Sequence, residues 1–301
     1  MNLKTWIMAS RAPFFVAVII PSLVGGAIAY HHGIFDPFLL FIVILGVALA
    51  NGGTNFINDY FDFKSGADVE NKNRTQFSGG SPFLPENVLK PKKVLYAGLL
   101  CFAASLLIVV YLTVKVSYLV LVLAAVGGFI GYFYTAPPFK FGYRGIGEIV
   151  TGIGIGLIVP GCYYVMAGAI TIDAVIAAIP IGILAAMILY VNEIPDYSAD
   201  KGAGKRHLIV MLGREKAVKF MPLIFLLVYL SIIFGVVFKI MPVWTLIALL
   251  TVPIALNVVK IAKSNYNNTK GYIPAMAGTI KIYAATGILL CIGYLIPVFL
   301  G

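Results

Sequence analysis

Two short segments of this sequence place carboxylates and amides at spacings that could bind a metal ion. The first, from Asn55 to Asp68, reads N-F-I-N-D-Y-F-D-F-K-S-G-A-D and closes a long apolar run. Residues three, four and seven apart share one face of a helix, which predicts a first acidic stripe made of Asn55, Asn58 (or Asp59) and Asp62. A charged side chain near the centre of a membrane helix costs about 2.5–3.5 kcal/mol, so these carboxylates are expected to face water or a cation.

A second segment repeats this arrangement much later in the chain. It reads N-E-I-P-D-Y-S-A-D-K-G-A-G-K-R, and its polar residues recur every fourth position at Asn192, Asp196 and Asp200. That spacing again predicts one helical face, the second acidic stripe.

Oxygen ligands from Asp and Asn suit hard cations, and Mg²⁺ typically binds one or two carboxylates together with substrate phosphates. Two stripes that face each other could therefore hold two or more Mg²⁺ ions over one diphosphate. The alternative interpretation is a set of capped, solvated carboxylates at helix ends. The repetition of the spacing favours the metal site.

Basic side chains that could bind phosphate lie near both stripes. Lys140 and Arg144 occupy a segment rich in turn-forming residues, and Lys205 and Arg206 follow the second stripe. Lysine offers a point charge and arginine a bidentate fork for phosphate oxygens. The alternative for each is an ordinary basic residue at the cytoplasmic end of a helix.

Aromatic residues surround the same segments and predict an aromatic-lined cavity, in which each ring stabilises a nearby cation by about 0.5–2 kcal/mol. For any single ring, a place in the lipid-interface belt is the alternative. These residues are Tyr60, Phe61, Phe63, Tyr132, Phe133, Tyr134, Tyr190 and Tyr197.

The composition identifies an integral membrane protein. Of the 301 residues, 60% are hydrophobic and 11% are charged, and the mean hydropathy is +0.97. Soluble domains average roughly 45–50% apolar and 25% charged residues. The three cysteines and three histidines form no metal-ligand or disulfide pattern in the sequence.

Hydropathy predicts an all-α, multi-pass protein with nine transmembrane helices around a central cavity, organised as a single membrane-embedded domain over residues 1–301. A GxxxG pattern at Gly152 and Gly156 predicts close helix packing. The nine predicted helices span 13–31, 37–62, 93–113, 117–136, 147–169, 173–195, 217–238, 241–262 and 277–299.

The distribution of basic residues predicts the orientation in a cell membrane. If the N-terminus is cytoplasmic, all of the 22 lysines and arginines except Lys115 and Lys239 fall on the cytoplasmic side, as the positive-inside rule requires. The same orientation puts all twelve acids except Asp36 and Asp173 on that side. Both acidic stripes are then predicted to meet where the cavity opens to the cytoplasm. The net charge of +10 reflects this topology and an anionic lipid surface, and no nucleic-acid partner is predicted.

With these motifs in place, the chain resembles the UbiA superfamily of intramembrane prenyltransferases, whose members carry two Asp-rich motifs on a nine-helix bundle. Similar segments lie along nearly the whole chain, at 11–25, 143–148 and 200–208. The form N-D-Y-F-D-F-K-S-G-A-D looks like the MenA branch, which attaches a polyprenyl chain to dihydroxynaphthoate. The segment 74–81 departs from the Arg-Pro-containing loop of many relatives.

The resemblance implies a Mg²⁺-dependent transfer of a polyprenyl group from a polyprenyl diphosphate to an aromatic acceptor within the lipid bilayer. It implies metal ligation by both Asp-rich motifs, catalytic roles for residues that promote loss of diphosphate, and substrate contacts from polar neighbours. The implied metal ligands are Asn58, Asp59, Asp62, Asp68, Asp196 and Asp200. The implied catalytic residues are Asp62, Asp196, Lys140 and Arg144. The implied substrate and cofactor contacts are Asn55, Asn58, Asp59, Tyr134, Asn192, Lys205 and Arg206.

Two kinds of alternative stay open at this point. Within the superfamily, the acceptor could instead be hydroxybenzoate, homogentisate, a glycerol phosphate lipid, haem or chlorophyllide. From a different class, a cation-coupled transporter could use the acidic stripes as an ion path. The acids are predicted at one face of the membrane rather than near its midplane, which disfavours the transporter.

Overall fold

The computed structural model describes residues 3–68 and 74–300, and over these ranges the chain is all-helical with no β-strand. The predicted all-α class is therefore confirmed. Lys72, one of the basic residues assigned to the cytoplasmic side, lies outside the described residues. The helices are α1 (Leu3–Ala9), α2 (Val16–His31), α3 (Pro37–Ser65), α4 (Pro91–Lys115), α5 (Tyr118–Phe133), α6 (Gly147–Gly156), α7 (Ile158–Ala167), α8 (Ile172–Gly202), α9 (Leu208–Leu212), α10 (Arg214–Val237), α11 (Val252–Asn265) and α12 (Thr269–Leu300).

Seven helical segments in the described part of the chain are long and apolar enough to cross a membrane. They are α3, α4, α8, α10, α12, the α6–α7 pair, and α11 together with the 3-10 helix Val243–Thr251 that precedes it. Helices α2 and α5 are also apolar but shorter. The predicted total of nine crossings requires these two helices to span the membrane as well.

Helix α8 is the most buried of the spanning helices and lies at the centre of the bundle, packed on α2, α6, α10 and α12. Helix α4 is peripheral, and its large side chains Leu100, Leu107 and Val114, spaced seven residues apart, are all exposed. This one-sided apolar surface is what a helix presents to lipid. The core of the bundle is thus built around the helix that carries the second acidic stripe.

The structure extends α8 beyond the predicted end at residue 195. Proline normally ends or kinks a helix because it cannot donate a backbone hydrogen bond, yet α8 continues past Pro195 to Gly202. Arg214 at the start of α10 fastens this region, because its guanidinium donates to the carbonyls of Ile194 (2.9 Å) and Pro195 (3.2 Å). The continuation carries Asp200 on the same helix as the rest of the stripe.

The predicted single helix at 147–169 is instead two helices that meet at Leu157. Pro160 has no N–H to donate to the carbonyl of Gly156, which accounts for the interruption at this place. The predicted close packing is confirmed: a Cβ on Gly152 would lie 2.8 Å from the carbonyl oxygen of Gly182 in α8. Helix α6 therefore runs directly against the backbone of α8.

Candidate active site

A cavity of about 750 Å³ lies inside the bundle, between α3, α5, α7 and α8. One end is polar and includes Asp62, Asp68, Asp196, Asp200 and Lys205. The remainder is lined mainly by aliphatic, aromatic and glycine residues, from these helices and from α2, α4 and α6. An apolar chamber with a charged end could take an elongated amphiphile with its head at the carboxylates.

The first acidic stripe faces this cavity through Asn55, Asn58 and Asp62. Neighbouring elements fix its amides: Asn55 Nδ2 donates to the carbonyl of Ser10 (2.9 Å), and Asn58 Oδ1 accepts from the hydroxyl of Thr135 (2.9 Å). The stripe is one helical face of α3, which continues to Ser65.

Asp59 lies off this face and outside the cavity wall. Its side chain is buried and bonded to the guanidinium of Arg11, which does line the cavity. Burial alone would lower the pKa of Arg11, but the carboxylates of Asp59 and Asp68 more than offset this and raise it. Arg11 therefore remains a cation at the cavity's polar end, positioned by Asp59. The role of Asp59 as a metal ligand stays a prediction.

Asp62 has two partners from outside its own helix. Its Oδ1 accepts from the hydroxyl of Tyr143 (2.8 Å), and its Oδ2 is 3.1 Å from Lys205 Nζ. The Tyr143 hydroxyl also lies 2.8 Å from the hydroxyl of Ser65. Burial and the neighbouring Asp62 carboxylate raise the pKa of Tyr143, so this phenol stays a proton donor to Asp62 at neutral pH.

The second acidic stripe lines the same cavity through Asn192, Asp196 and Asp200. Asp196 Oδ1 accepts from the hydroxyl of Ser78 (3.2 Å). Asp200 has Lys205 Nζ 3.2 Å from Oδ1 and His207 Nε2 3.0 Å from Oδ2.

Lys205 joins the two stripes, because its ammonium contacts Asp62 of the first and Asp200 of the second. Burial would lower the pKa of Lys205, but these two carboxylates raise it well above its usual value. Two carboxylates that share one ammonium lie close enough to share one small ligand.

Asp68 completes the polar end from beyond the end of α3. Arg74 donates to the Asp68 carbonyl (2.7 Å) and, through Nε, to the Gly79 carbonyl (2.9 Å), which holds the following loop against the cavity. The Asp68 carboxyl packs on Gly80, whose φ of +71° and lack of Cβ leave room for it. Burial, followed by the charges of Asp62 and Asp59, raises the pKa of Asp68 to about 8.

Three predicted phosphate-binding residues are not in the cavity wall. Arg144 is exposed and donates to the carbonyl of Pro138 (2.8 Å), and Arg206 is exposed as well. Lys140 lies in the αL region, with its Nζ 5.4 Å from the centre of the Tyr143 ring. Tyr134, in contrast, lines the cavity, and burial followed by the charge of Glu193 raises its pKa well above the usual value.

Several residues at the site were not predicted from the sequence. Arg11 was assigned only to the topology, and Ser78 and Glu193 were not considered, although all three line the cavity. Glu193 carried one usable signal, because a carboxylate inside an apolar helix usually has a function. His207 shows no ligand spacing in the sequence, yet it contacts Asp200 and lies beside Glu193.

The donor set at the polar end fits Mg²⁺. The available atoms are carboxylate oxygens of Asp62, Asp68, Asp196 and Asp200 and side-chain oxygens of the stripe amides, which are hard ligands. Among the described cavity residues these carboxylates outnumber the cations Arg11 and Lys205, so the site has negative charge to offer a metal ion.

Comparisons with known proteins agree with this geometry. The model of the UbiA prenyltransferase family matches residues 18–277. The 1,4-dihydroxy-2-naphthoate octaprenyltransferase of Bacillus subtilis is 28% identical over 291 residues, 96% of this chain and 92% of that protein. The 2-carboxy-1,4-naphthoquinone phytyltransferase of Synechocystis is 26% identical over 301 residues, 97% of this chain and 93% of that protein.

Solved structures share the fold. A UbiA homologue from Archaeoglobus fulgidus bound to DMAPP and Mg²⁺ matches with a TM-score of 0.68 and 19% identity, over 95% of this chain and 98% of that one. Because the family model matches most of its length, this chain belongs to the UbiA prenyltransferase family.

Proposed function

We propose that this protein transfers a polyprenyl group from an allylic polyprenyl diphosphate to 1,4-dihydroxy-2-naphthoate, in a Mg²⁺-dependent reaction. The observation that carries the proposal is the contact of one ammonium, Lys205 Nζ, with Asp62 of the first acidic stripe and Asp200 of the second at the polar end of an apolar cavity. Two relatives named for naphthoate-type acceptors support the choice of acceptor.

The polar end would bind the diphosphate head of the donor. Lys205 and Arg11 are partly buried cations at this end, and both can hydrogen-bond to phosphate oxygens. Bound Mg²⁺ would neutralise charge on the departing diphosphate. The carboxylates and amides of both stripes and Asp68 would hold it there. Because these groups are preorganised, little reorganisation is needed as negative charge develops on the leaving group.

The apolar part of the cavity would take the prenyl tail and keep water from the reacting carbon. Phe14 and Phe77 line the cavity near its charged residues, with ring centroids 6.5 Å apart. Their faces would stabilise the allylic cation formed when the C–O bond breaks, by about 0.5–2 kcal/mol per ring. The diphosphate thus departs with the electron pair of the C–O bond. A ring carbon of the acceptor then forms the new C–C bond and loses its proton, and in the MenA-type reaction the carboxylate of the acceptor leaves as CO₂ and a proton takes its place.

The orientation in the membrane follows from charge. We place nine helical segments across the bilayer, the seven long ones and the shorter α2 and α5, with the polar end of the cavity and the N-terminus in the cytoplasm. The structure gathers the loops that follow α3, α5 and α8 at one end, through contacts such as Ser65 to Tyr143 and Asp62 to Lys205. These loops carry much of the basic charge that the positive-inside rule assigns to the cytoplasm.

A product assay tests the proposal. Purified protein in lipid nanodiscs is given Mg²⁺, prenyl diphosphates of several lengths, and 1,4-dihydroxy-2-naphthoate, hydroxybenzoate, homogentisate or a glycerol phosphate lipid, with products identified by mass spectrometry. We expect a decarboxylated prenyl-naphthoquinol product that disappears with EDTA. Prenylation of another acceptor in preference to the naphthoate would overturn the choice of acceptor, and no metal-dependent consumption of any donor would overturn the proposal.

A further inference from the structure

Three buried side chains that the proposed reaction does not use lie together behind the second acidic stripe. They are Glu148 at the start of α6, Glu193 in α8 and His207 just before α9. One ligand atom from each lies within 4.8 Å of the others. Their exposed fractions are 2%, 8% and 1%. They come from three separate elements and converge on one small volume.

Each of these residues turns an unsatisfied atom toward the cluster. Glu148 Oε2, Glu193 Oε2 and His207 Nδ1 have no hydrogen-bond partner within the described part of the chain. Nδ1 and the Glu193 oxygen are 3.4 Å apart but are not aligned for a hydrogen bond. Leaving a buried polar atom unpaired costs about 1–3 kcal/mol, and more when it is charged. The side chains of Glu148 and Glu193 also contact each other directly, which requires a proton or a cation between them.

The other side-chain polar atoms of Glu148 and His207 already have hydrogen-bond partners. These partners determine which atoms remain to bind a ligand. Glu148 Oε1 accepts from the backbone N–H of Leu208 (2.8 Å), and His207 Nε2 lies 3.0 Å from Asp200 Oδ2. Because an ionised carboxylate can only accept, Nε2 donates to Asp200. The other ring nitrogen, Nδ1, faces the Glu193 carboxylate and is the atom left to bind a metal ion.

The two glutamates of the cluster have no lysine or arginine paired with them in the described part of the chain. The ammonium of Lys205 is committed to Asp62 and Asp200. Glu148 and Glu193 have no ion pair of their own to a lysine or arginine among the described residues. A buried carboxylate pair needs a proton or a cation to persist.

We propose that Glu148, Glu193 and His207 bind one divalent cation of the Zn²⁺ class, at a site separate from the two acidic stripes. A nitrogen ligand with two carboxylates suits Zn²⁺, whereas Mg²⁺ prefers oxygen ligands and keeps several waters. The bond from His207 Nε2 to Asp200 matches the carboxylate–histidine–zinc arrangement, in which the second ring nitrogen of a ligating histidine is held by a carboxylate.

This cation would tie α6, α8 and the segment before α9 together, and through His207 it would orient Asp200. The inference does not depend on the proposed substrate, because its test uses protein without substrate. The competing interpretation is a proton shared between the two glutamates, and the test separates the two.

The experiment measures tightly bound metal in the full-length protein, freed of any histidine tag. Detergent-solubilised protein is stripped with EDTA, equilibrated with Zn²⁺ in the presence of excess Mg²⁺, passed through gel filtration and analysed by mass spectrometry for metals. We expect about one Zn²⁺ per chain to be retained against excess Mg²⁺, since Zn²⁺ is the better match to a mixed nitrogen and oxygen site.

Variants assign the metal to the cluster. The single variants Glu148→Gln, Glu193→Gln and His207→Gln should each weaken Zn²⁺ binding about tenfold or more. Glu148→Gln keeps a side-chain oxygen that can accept from the Leu208 N–H. Glu215→Gln is the matched control, because Glu215 is on the surface and pairs only with Lys219. Asp62→Asn and Asp196→Asn should retain the Zn²⁺, since they alter the other site.

Two results would overturn the proposal. One is wild-type protein that retains no Zn²⁺, which would leave the shared proton as the explanation. The other is Zn²⁺ that is retained in all three cluster variants or lost in Asp62→Asn. If a cluster variant does not fold, the wild type is titrated with Co²⁺, and visible absorption bands that appear in excess Mg²⁺ and disappear with Zn²⁺ support the site. Their absence contradicts it.

Discussion

The two acidic stripes each follow one face of a helix but are held in different ways. The first lies at the end of α3 and takes its partners from elements remote in the chain, through Thr135, Tyr143 and Lys205. The second lies on α8, the most buried spanning helix, and its Asp200 is backed by buried His207. The first half of the site thus lies at a helix end and depends on elements folding over it. The second half is part of the core of the bundle, although Asp196 and Asp200 also contact Ser78 and Lys205 from loops.

This difference suggests a division of labour. A carboxylate fixed in the core holds its position before any ligand arrives, whereas one held by loop residues depends on their remaining in place. Lys205 belongs to both halves, because it contacts Asp62 and Asp200. The variants below are ordered by expected effect, and each alters one half or the link between the halves.

The largest loss is expected from removing one carboxylate charge in either stripe. Asp62→Asn and Asp196→Asn should each lower kcat about 10²–10³-fold, because each removes a charge that the transition state needs held in place. Steady-state kinetics in nanodiscs measure this. Asp36→Asn is the matched control, since Asp36 caps α3 outside the cavity wall and asparagine caps equally well. Near-normal kcat in both site variants would reject the two-stripe site.

A smaller loss is expected from cutting the link between the stripes. Lys205→Gln removes the ammonium that joins the stripes and that would bond to a phosphate oxygen of the donor. Loss of one charge-assisted bond to substrate, worth about 1.5–3 kcal/mol, should lower kcat/KM for the prenyl diphosphate about 10–100-fold. Lys201→Gln serves as the control, because Lys201 is exposed. If kcat/KM of the two variants is equal, Lys205 contributes nothing as a bridge.

Removing one hydrogen-bond partner of the first stripe should lower kcat/KM less than the loss of Lys205 does. Tyr143→Phe removes the hydroxyl that donates to Asp62, a bond worth about 0.5–1.5 kcal/mol, so a loss of kcat/KM of about two- to tenfold is expected. Tyr96→Phe, on the exposed face of α4, should leave the kinetics unchanged. A loss as large as that of Asp62→Asn would show that Tyr143 does more than orient the carboxylate.

The smallest effect is expected on the pH dependence of stability, and it involves Asp68, which follows the first stripe along the chain. Burial raises the pKa of Asp68 from 3.8 to about 8 in the folded protein. The folded state therefore favours the protonated carboxyl, and the stability it contributes is full below pH 3.8 and lost as the pH rises through 8. In EDTA-treated protein, Tm should fall from pH 5 to 8 more steeply for the wild type than for Asp68→Asn. Equal slopes would contradict the raised pKa.

The sequence predicted the elements better than the contacts between them. Apolar runs determine where spanning helices lie, so the predicted segments coincide with helices of the structure. Hydropathy placed the end of the spanning segment at residue 195, whereas the spacing of Asn192, Asp196 and Asp200 correctly predicted helix beyond it. The restraint from Arg214 of α10 is a tertiary contact that sequence spacing does not reveal. The break at Leu157 was also missed, although Pro160 was a local signal for it.

Residues of the cavity wall were predictable where they repeat along one helix. Both stripes have helical spacing, and Asn55, Asn58, Asp62, Asn192, Asp196 and Asp200 all line the cavity. Lys205 was predicted near phosphate, but its contact with both stripes depends on how α3 and α8 pack. Glu148, Glu193 and His207 come from three elements with no common spacing, so only the fold brings them together.

The central claim is that both stripes hold one diphosphate. The most direct measurement is a double-mutant cycle on Mg²⁺-dependent binding of a non-reactive thiolo analogue of geranyl diphosphate, by calorimetry on wild type, Asp62→Asn, Asp196→Asn and the double variant. The account predicts that each substitution weakens binding and that the two losses are coupled by about 0.5–3 kcal/mol, as for residues that share a partner. Additive losses, or wild-type affinity in either single variant, would contradict it.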